Sequence, residues 1–117
     1  LDNCFITGYI TNSANNPDGY TAKLNSSGTI VWGKNYNGSG NQSDKAWGIV
    51  VDTDGAVYIT GETTDAYSNI NYLTAKYSST GNLLWEAFYN GTGNGVDVAS
   101  SRGLLGTNSV VVTGKSW

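Results

Sequence analysis

The 117-residue chain has no histidine, no methionine, one cysteine and one proline. Without histidine it lacks the commonest general base and the commonest metal ligand. A lone Cys4 excludes an intrachain disulfide and a cysteine-based zinc site. Charge is sparse: 13% of residues are charged, with six Lys and Arg against nine Asp and Glu. A net charge of −3 with scattered basic residues speaks against nucleic acid as a partner. No apolar run approaches the roughly 18 residues of a membrane span. The first residue is Leu1 and no leader-like segment follows, so the expectation is a chain processed or excised from something longer.

What is abundant is Gly, Asn, Ser and Thr, with Val, Ile, Tyr and Trp in the apolar stretches. That is the chemistry of strands joined by glycine-rich turns, and no window carries helical periodicity. The polar, weakly charged composition fits an extracellular or cell-surface setting. The segment Asp44 to Thr63, DKAWGIVVDTDGAVYITGET, reads as a hairpin. Ala46 to Asp52 and Ala56 to Thr63 are its arms, and Thr53-Asp54-Gly55 is its turn.

Parts of that hairpin recur. Ile6-Thr7-Gly8, Ile59-Thr60-Gly61 and Val112-Thr113-Gly114 share one pattern at intervals of 53 residues. Ala22/Ala75, Lys23/Lys76, Gly28/Gly81, Trp32/Trp85, Tyr36/Tyr89 and Asp44/Asp97 keep the same interval without a gap. Carrying the period along the chain predicts strands at Cys4–Ile10, Tyr20–Leu24 and Thr29–Tyr36. Their counterparts are Val57–Thr63, Leu73–Tyr77 and Asn82–Tyr89, and a second central hairpin follows at Val98–Leu105 and Ser109–Lys115. Thr11 to Gly19, with Pro17 and the pair Asp18-Gly19, reads as a loop.

The expected fold is therefore all-β. Four-stranded antiparallel meanders on a 53-residue repeat point to β-propeller blades, with a sandwich or solenoid as the alternative. About two blades fit into 1–117, one repeat near 8–60, another near 61–113, and a third begun at 114–117. Two blades cannot close a ring, and open sheet edges invite pairing. Three accounts stay open: a window cut from a longer array, several copies assembled into a ring, or a head-to-tail filament.

DKAWGIVVDTDGAVYITGET followed by YLTAKYSSTGNLLWEAFYNGTG resembles the bacterial and archaeal seven-bladed β-propeller repeat, D-x-A-x-x-I-x-V-D-x-x-G-x-V-Y-V-T-G then A-K-x-x-x-x-G-x-x-x-W. The second copy departs from it, with Leu104-Leu105 in place of Val51-Asp52 and Arg102 in place of Ile49. The resemblance implies a secreted or surface propeller and no common reaction. Ala75, Thr80-Gly81 and Trp85 also resemble the tryptophan-docking motif of quinoprotein propellers, with Tyr77 where that motif has Asp. That likeness implies that Trp32 and Trp85 wedge against the neighbouring blade; it carries over no cofactor.

Candidate sites follow, each with a competing structural reading. Asp52-x-Asp54-Gly55 matches a fragment of a calcium loop, but the distant Glu of such a loop is missing and the second copy loses the carboxylates, which favours a hairpin turn. Asp44 and Asp97 are expected to anchor loop N–H groups, and Trp32, Trp85, Gly28 and Gly81 to build the contact between blades. Trp47 and Tyr67 are candidate ligand-facing aromatics, with Tyr9 and Trp117 beside them, for carbohydrate or for packing. Asn25, Asn37, Asn41 and Asn90 begin N-glycosylation sequons. Cys4, in phase with Val57 and Val110, is expected to be buried. No catalytic residue and no cofactor is assigned. The favoured reading is a non-catalytic structural or interaction module whose partners are further blades or identical copies. Carbohydrate binding and a fragment of a propeller hydrolase or lyase are the competitors.

Overall fold

The computed structural model describes residues 2–106 and 108–117, with the backbone alone at Ser101 and Leu105. The described residues form an all-β structure with no helix. Nine strands run in chain order: β1 Cys4–Thr11, β2 Pro17–Leu24, β3 Ile30–Tyr36, β4 Asp44–Val51, β5 Val57–Thr64, β6 Ile70–Tyr77, β7 Leu83–Tyr89, β8 Val98–Leu105 and β9 Ser109–Lys115. They build three antiparallel sheets, ordered β1-β2-β3, β4-β5-β6-β7 and β8-β9. The four-stranded sheet therefore opens at Asp44, out of phase with repeats counted from Gly8 or Gly61, and Asp97 immediately precedes the first strand of the third sheet.

The sheets pack in succession. β1 and β2 of the first lie on β4 of the second, and β5 and β6 of the second lie on β8 of the third. These are the same strand classes one repeat apart, so a single packing geometry is used twice. The core between sheets is Trp32, Tyr36, Ala46, Val57, Ile59, Leu73, Ala75 and Tyr77. β5 is covered on both faces, burying Val57, Tyr58 and Ile59 together with Thr60, Thr63 and Thr64, whereas β6 alternates and β7 is exposed throughout.

The recurring glycines hold one structural position. Gly8, Gly61 and Gly114 lie in β1, β5 and β9. In the second sheet the register slips between Ala46 and Gly48, and in the third between Ala99 and Ser101. These bulges push the neighbouring backbone inward, so a Cβ on Gly61 would strike the Lys45 carbonyl oxygen and one on Gly114 that of Val98. Gly8 has no such neighbour, because β1 is the free edge of its sheet.

Two expectations need correction. Pro17-Asp18-Gly19 is not loop: β2 begins at Pro17, which pairs with Thr11 as the first residue of the strand, a place where proline is tolerated. The connection shrinks to Asn12–Asn16, closed by the Asn12 side chain, which accepts the Ala14 and Asn16 N–H groups. Cys4 is exposed, not buried, since phase with Val57 places it on β1 but no strand covers β1's other edge.

Candidate functional site: docking surfaces between sheets

The contact between the first and second sheets centres on Trp32 of β3. Its indole N–H donates to the Ser79 carbonyl at 3.1 Å, in the β6–β7 turn of the next sheet. Gly81 in that turn has φ +88° and packs under the indole so closely that a Cβ there would lie 2.8 Å from the ring. Glycine is thus needed twice, for the left-handed backbone and for the close approach. Phe5 meets the ring edge-on at 6.5 Å between centroids, and Tyr77 flanks it at 6.3 Å. A knob on one sheet fills a socket in the next.

One repeat on, Trp85 has the same internal support. Tyr58, the counterpart of Phe5, meets it edge-on at 6.1 Å. Trp85 nonetheless does not wedge against a neighbouring sheet as expected. It is 39% exposed against 9% for Trp32, and its indole N–H has no hydrogen bond among the described residues. Among the described residues the third sheet holds β8 and β9, with no turn equivalent to Ser78–Asn82 beneath Trp85. Gly28 shows the converse: its φ is +79°, but nothing lies within 4 Å of a Cβ built there.

Asp44 and Asp97 tie the loop before each strand to the sheet. Asp44 accepts the Gly38 N–H at 2.7 Å, the Thr63 hydroxyl at 2.5 Å and the Thr64 N–H at 3.3 Å. Asp97 accepts the Gly91 N–H at 2.6 Å. Both are fully covered, but their acidities diverge. Burial beneath packed sheets raises the Asp44 carboxyl above its ordinary value, against the pull of those three donors. Asp97 lies at the outermost sheet, where burial counts for less; the Ser116 hydroxyl, then the Gly91 N–H, hold its carboxyl below the usual range. In both cases a carboxylate oxygen is engaged in positioning loop backbone.

Asp52 caps its own turn. Its Oδ1 accepts the Asp54 and Ala56 N–H groups at 3.0 and 2.9 Å, and its Oδ2 accepts the Tyr58 hydroxyl at 3.3 Å. The same i+2 and i+4 capping recurs at Asn12, Asn25 and Asp65, so it is a device of these turns in general. Asp54 is exposed beside it. Where Asp52 becomes Leu105 the cap is lost, and the left-handed residue moves from Gly55 (φ +80°) to Gly106 (φ +70°). Thr107 of that turn lies outside the described residues.

The remaining candidates divide. Tyr67 stands 86% exposed at the tip of the β5–β6 turn, its N–H donating to Asp65. Trp47, at the β4 bulge, instead meets Tyr9 of the first sheet edge-on at 5.9 Å. Lys45 Nζ lies over both rings, at 5.5 Å from the Tyr9 centroid and 5.8 Å from that of Trp47, and pairs with Glu62 at 3.5 Å. Glu62 also accepts the Trp47 indole N–H at 3.3 Å. Sequence reasoning missed this grouping, although a signal for it was present. Trp47 becomes Ser100, Lys45 becomes Val98 and Glu62 becomes Lys115 one repeat on, so packing common to the repeats does not demand these residues.

Asn37, Asn41 and Asn90 are exposed in loops; Asn37 Nδ2 bonds Asn41 Oδ1 and Asn90 Nδ2 bonds Asn94 Oδ1, each at 2.8 Å. Asn25 is half-buried, its Oδ1 occupied by its turn. Arg102 explains itself by crossing between sheets, where Nε and Nη2 donate to the Ile49 carbonyl at 3.3 and 3.2 Å and the aliphatic stem covers Gly48. A cleft of about 570 Å³ separates β3 from β7, lined by Lys34, Tyr36, Tyr77 and Glu86 among others. Burial and then Glu86 raise the Tyr36 phenol strongly and push that of Tyr77 up to about 12, so both stay protonated donors at neutral pH.

No protein-family model matches this chain, and no curated protein matches it.

Proposed function

We propose that the chain is a non-catalytic structural and interaction module, a segment of β-propeller blades from a secreted or cell-surface protein, completed by further blades or by identical copies. The observation that carries this reading is the pairing of Trp32 with the Gly81 turn, set against an unfilled Gly28 turn and an exposed Trp85 one repeat away in either direction. This tryptophan-to-turn contact, made once internally, has both of its halves repeated and presented at the surface. β7 adds to this surface with Leu84, Phe88 and Tyr89 all more than half exposed. Of the buried carboxylates that could suggest chemistry, Asp44 is taken up by the Gly38 N–H and the Thr63 hydroxyl, and one oxygen of Asp97 by the Gly91 N–H.

Sedimentation velocity and light scattering over a range of concentrations test the self-completing form. Species heavier than 12.4 kDa that dissociate on dilution are the expected result. A monomer that also fails to bind a chain of the same repeat type would remove the interaction reading.

The Trp47–Tyr9 pair favours a second reading, carbohydrate binding. Two half-exposed aromatic rings with an ion pair across them offer apolar faces for sugar C–H groups and charged partners for hydroxyls. Titration with an oligosaccharide panel, followed by indole fluorescence, checks it. Affinity that survives Trp47→Ala rules this site out.

A further inference from the structure

Resting on the interaction reading above, we infer that the partner of the exposed surfaces is a second copy of this chain. It docks head to tail, so that Trp85 of one copy fills the Gly28 turn of the next and β8 of the first pairs with β1 of the second. Three features, each 53 residues from its filled counterpart inside the chain but itself unfilled, support this.

The first is the knob. Trp85 is supported by Tyr58 at nearly the same distance and angle as Trp32 by Phe5, 6.1 Å and 66° against 6.5 Å and 61°. The indole is pre-arranged for docking without anything to dock on. The second is the socket. The Asn25–Thr29 turn has the construction of the Ser78–Asn82 turn, with a left-handed glycine at the same place and the same closing backbone bonds. The Ser26 carbonyl stands where Ser79 accepts the Trp32 indole N–H.

The third is the strand edge. Gly61 and Gly114 are each pressed by a bulged strand, β4 and β8, and Gly8 is the same residue on an edge where nothing presses. A strand with that bulge fits there without collision. β8 is the one to supply, because its present partner β9 carries Val112-Thr113-Gly114 where β1 carries Ile6-Thr7-Gly8. β1 of the second copy takes the place of β9, so one antiparallel ladder is exchanged for another of matching pattern. The exchange brings the β1-β2-β3 sheet onto β5 and β6, which carries its Gly28 turn to Trp85. The interface is heterologous, so it propagates to a ring or a filament.

The register of the exchanged pair gives the test. Leu104 faces Val110 of β9, and Cys4 is the β1 counterpart of Val110. A Leu104→Cys variant therefore places a thiol opposite Cys4 of the next copy, within the Cα separation that a disulfide spans. Under oxidised glutathione, disulfide-linked oligomers are expected. Mass spectrometry of their digest should find the peptide of Cys4 cross-linked to the peptide that carries the substituted position 104. Adding Trp85→Ala should lower the yield of this cross-link about tenfold, which corresponds to about 1.4 kcal/mol of docking. Gly28→Asn, chosen because Asn tolerates a left-handed backbone, should do the same by filling the socket. Circular dichroism checks that each variant is folded. Absence of the cross-linked peptide, or a yield that neither substitution changes, overturns the inference. Association that persists without the cross-link overturns it while leaving the interaction module standing; no association at any concentration overturns it and removes self-completion as well.

Discussion

Replacing Trp32 with alanine and, separately, Trp85 with alanine compares one residue in one repeat position under two circumstances. Trp32 is 9% exposed and Trp85 39%, so roughly a third of a side chain of about 250 Å² separates them. At about 25 cal/mol per Å² that area is worth about 2 kcal/mol. The Trp32–Ser79 hydrogen bond adds about 1 kcal/mol, since loss of the indole leaves a carbonyl without its donor. Trp32→Ala is therefore expected to destabilise by about 4 kcal/mol, in the range for a buried aromatic, and Trp85→Ala by about 1 kcal/mol. Urea unfolding followed by far-ultraviolet circular dichroism, at a concentration too low for association, measures both. Trp32→Ala removes a large share of the 5–15 kcal/mol or so that a domain possesses, so its midpoint should fall far more than that of Trp85→Ala. Equal losses would refute the reasoning, because they would mean that the sheet-to-sheet contact contributes nothing beyond what each tryptophan gains inside its own sheet.

Three further outcomes follow from the same geometry. Gly61→Ala forces a Cβ into the Lys45 carbonyl and should cost about 3 kcal/mol or more, whereas Gly8→Ala, made where space is open, should change the thermal midpoint little. Gly81→Asn should destabilise by about 2 kcal/mol through collision with the Trp32 ring, while Gly28→Asn should be near neutral in the dilute monomer; melting curves decide it. Carbon-detected titration of the aspartates should place Asp44 above and Asp97 below the ordinary 3.8. The signs for stability are then opposite. Asp97, depressed in the folded state, contributes stability present above 3.8 and lost as pH falls through its folded value. Asp44, raised, costs stability above its folded value and relinquishes that cost as pH falls toward 3.8, so Asp44→Asn should flatten this gain. The reverse order of the two titrations would contradict an Asp44 governed by desolvation and an Asp97 governed by its hydrogen-bond donors.

The periodic residues were the legible ones. An interval of 53 placed β8 and β9 at their observed bounds, and put Gly8, Gly61 and Gly114 on equivalent strands, because a bulge and the glycine beneath it must keep register together. What the period could not convey is occupancy. Cys4 and Trp85 match buried counterparts in sequence, but they are exposed because burial depends on which strands of the next sheet are there to cover them. Pro17 read as loop because local turn chemistry outweighed pairing, although a strand's first residue needs no ladder donor. The Tyr9–Lys45–Trp47–Glu62 cluster escaped notice because it joins positions that do not repeat and that only the stacking of the first sheet on β4 brings together.

The most direct check on the account is the proton chemical shift of the Gly81 α-hydrogens in the dilute monomer. Lying against the face of the Trp32 indole, they are predicted to be shifted strongly upfield and to return toward ordinary values in Trp32→Ala, while those of Gly28 stay ordinary throughout. Unshifted Gly81 resonances, or a shift indifferent to removal of Trp32, would contradict the claim that a tryptophan of one sheet is seated on a glycine turn of the next.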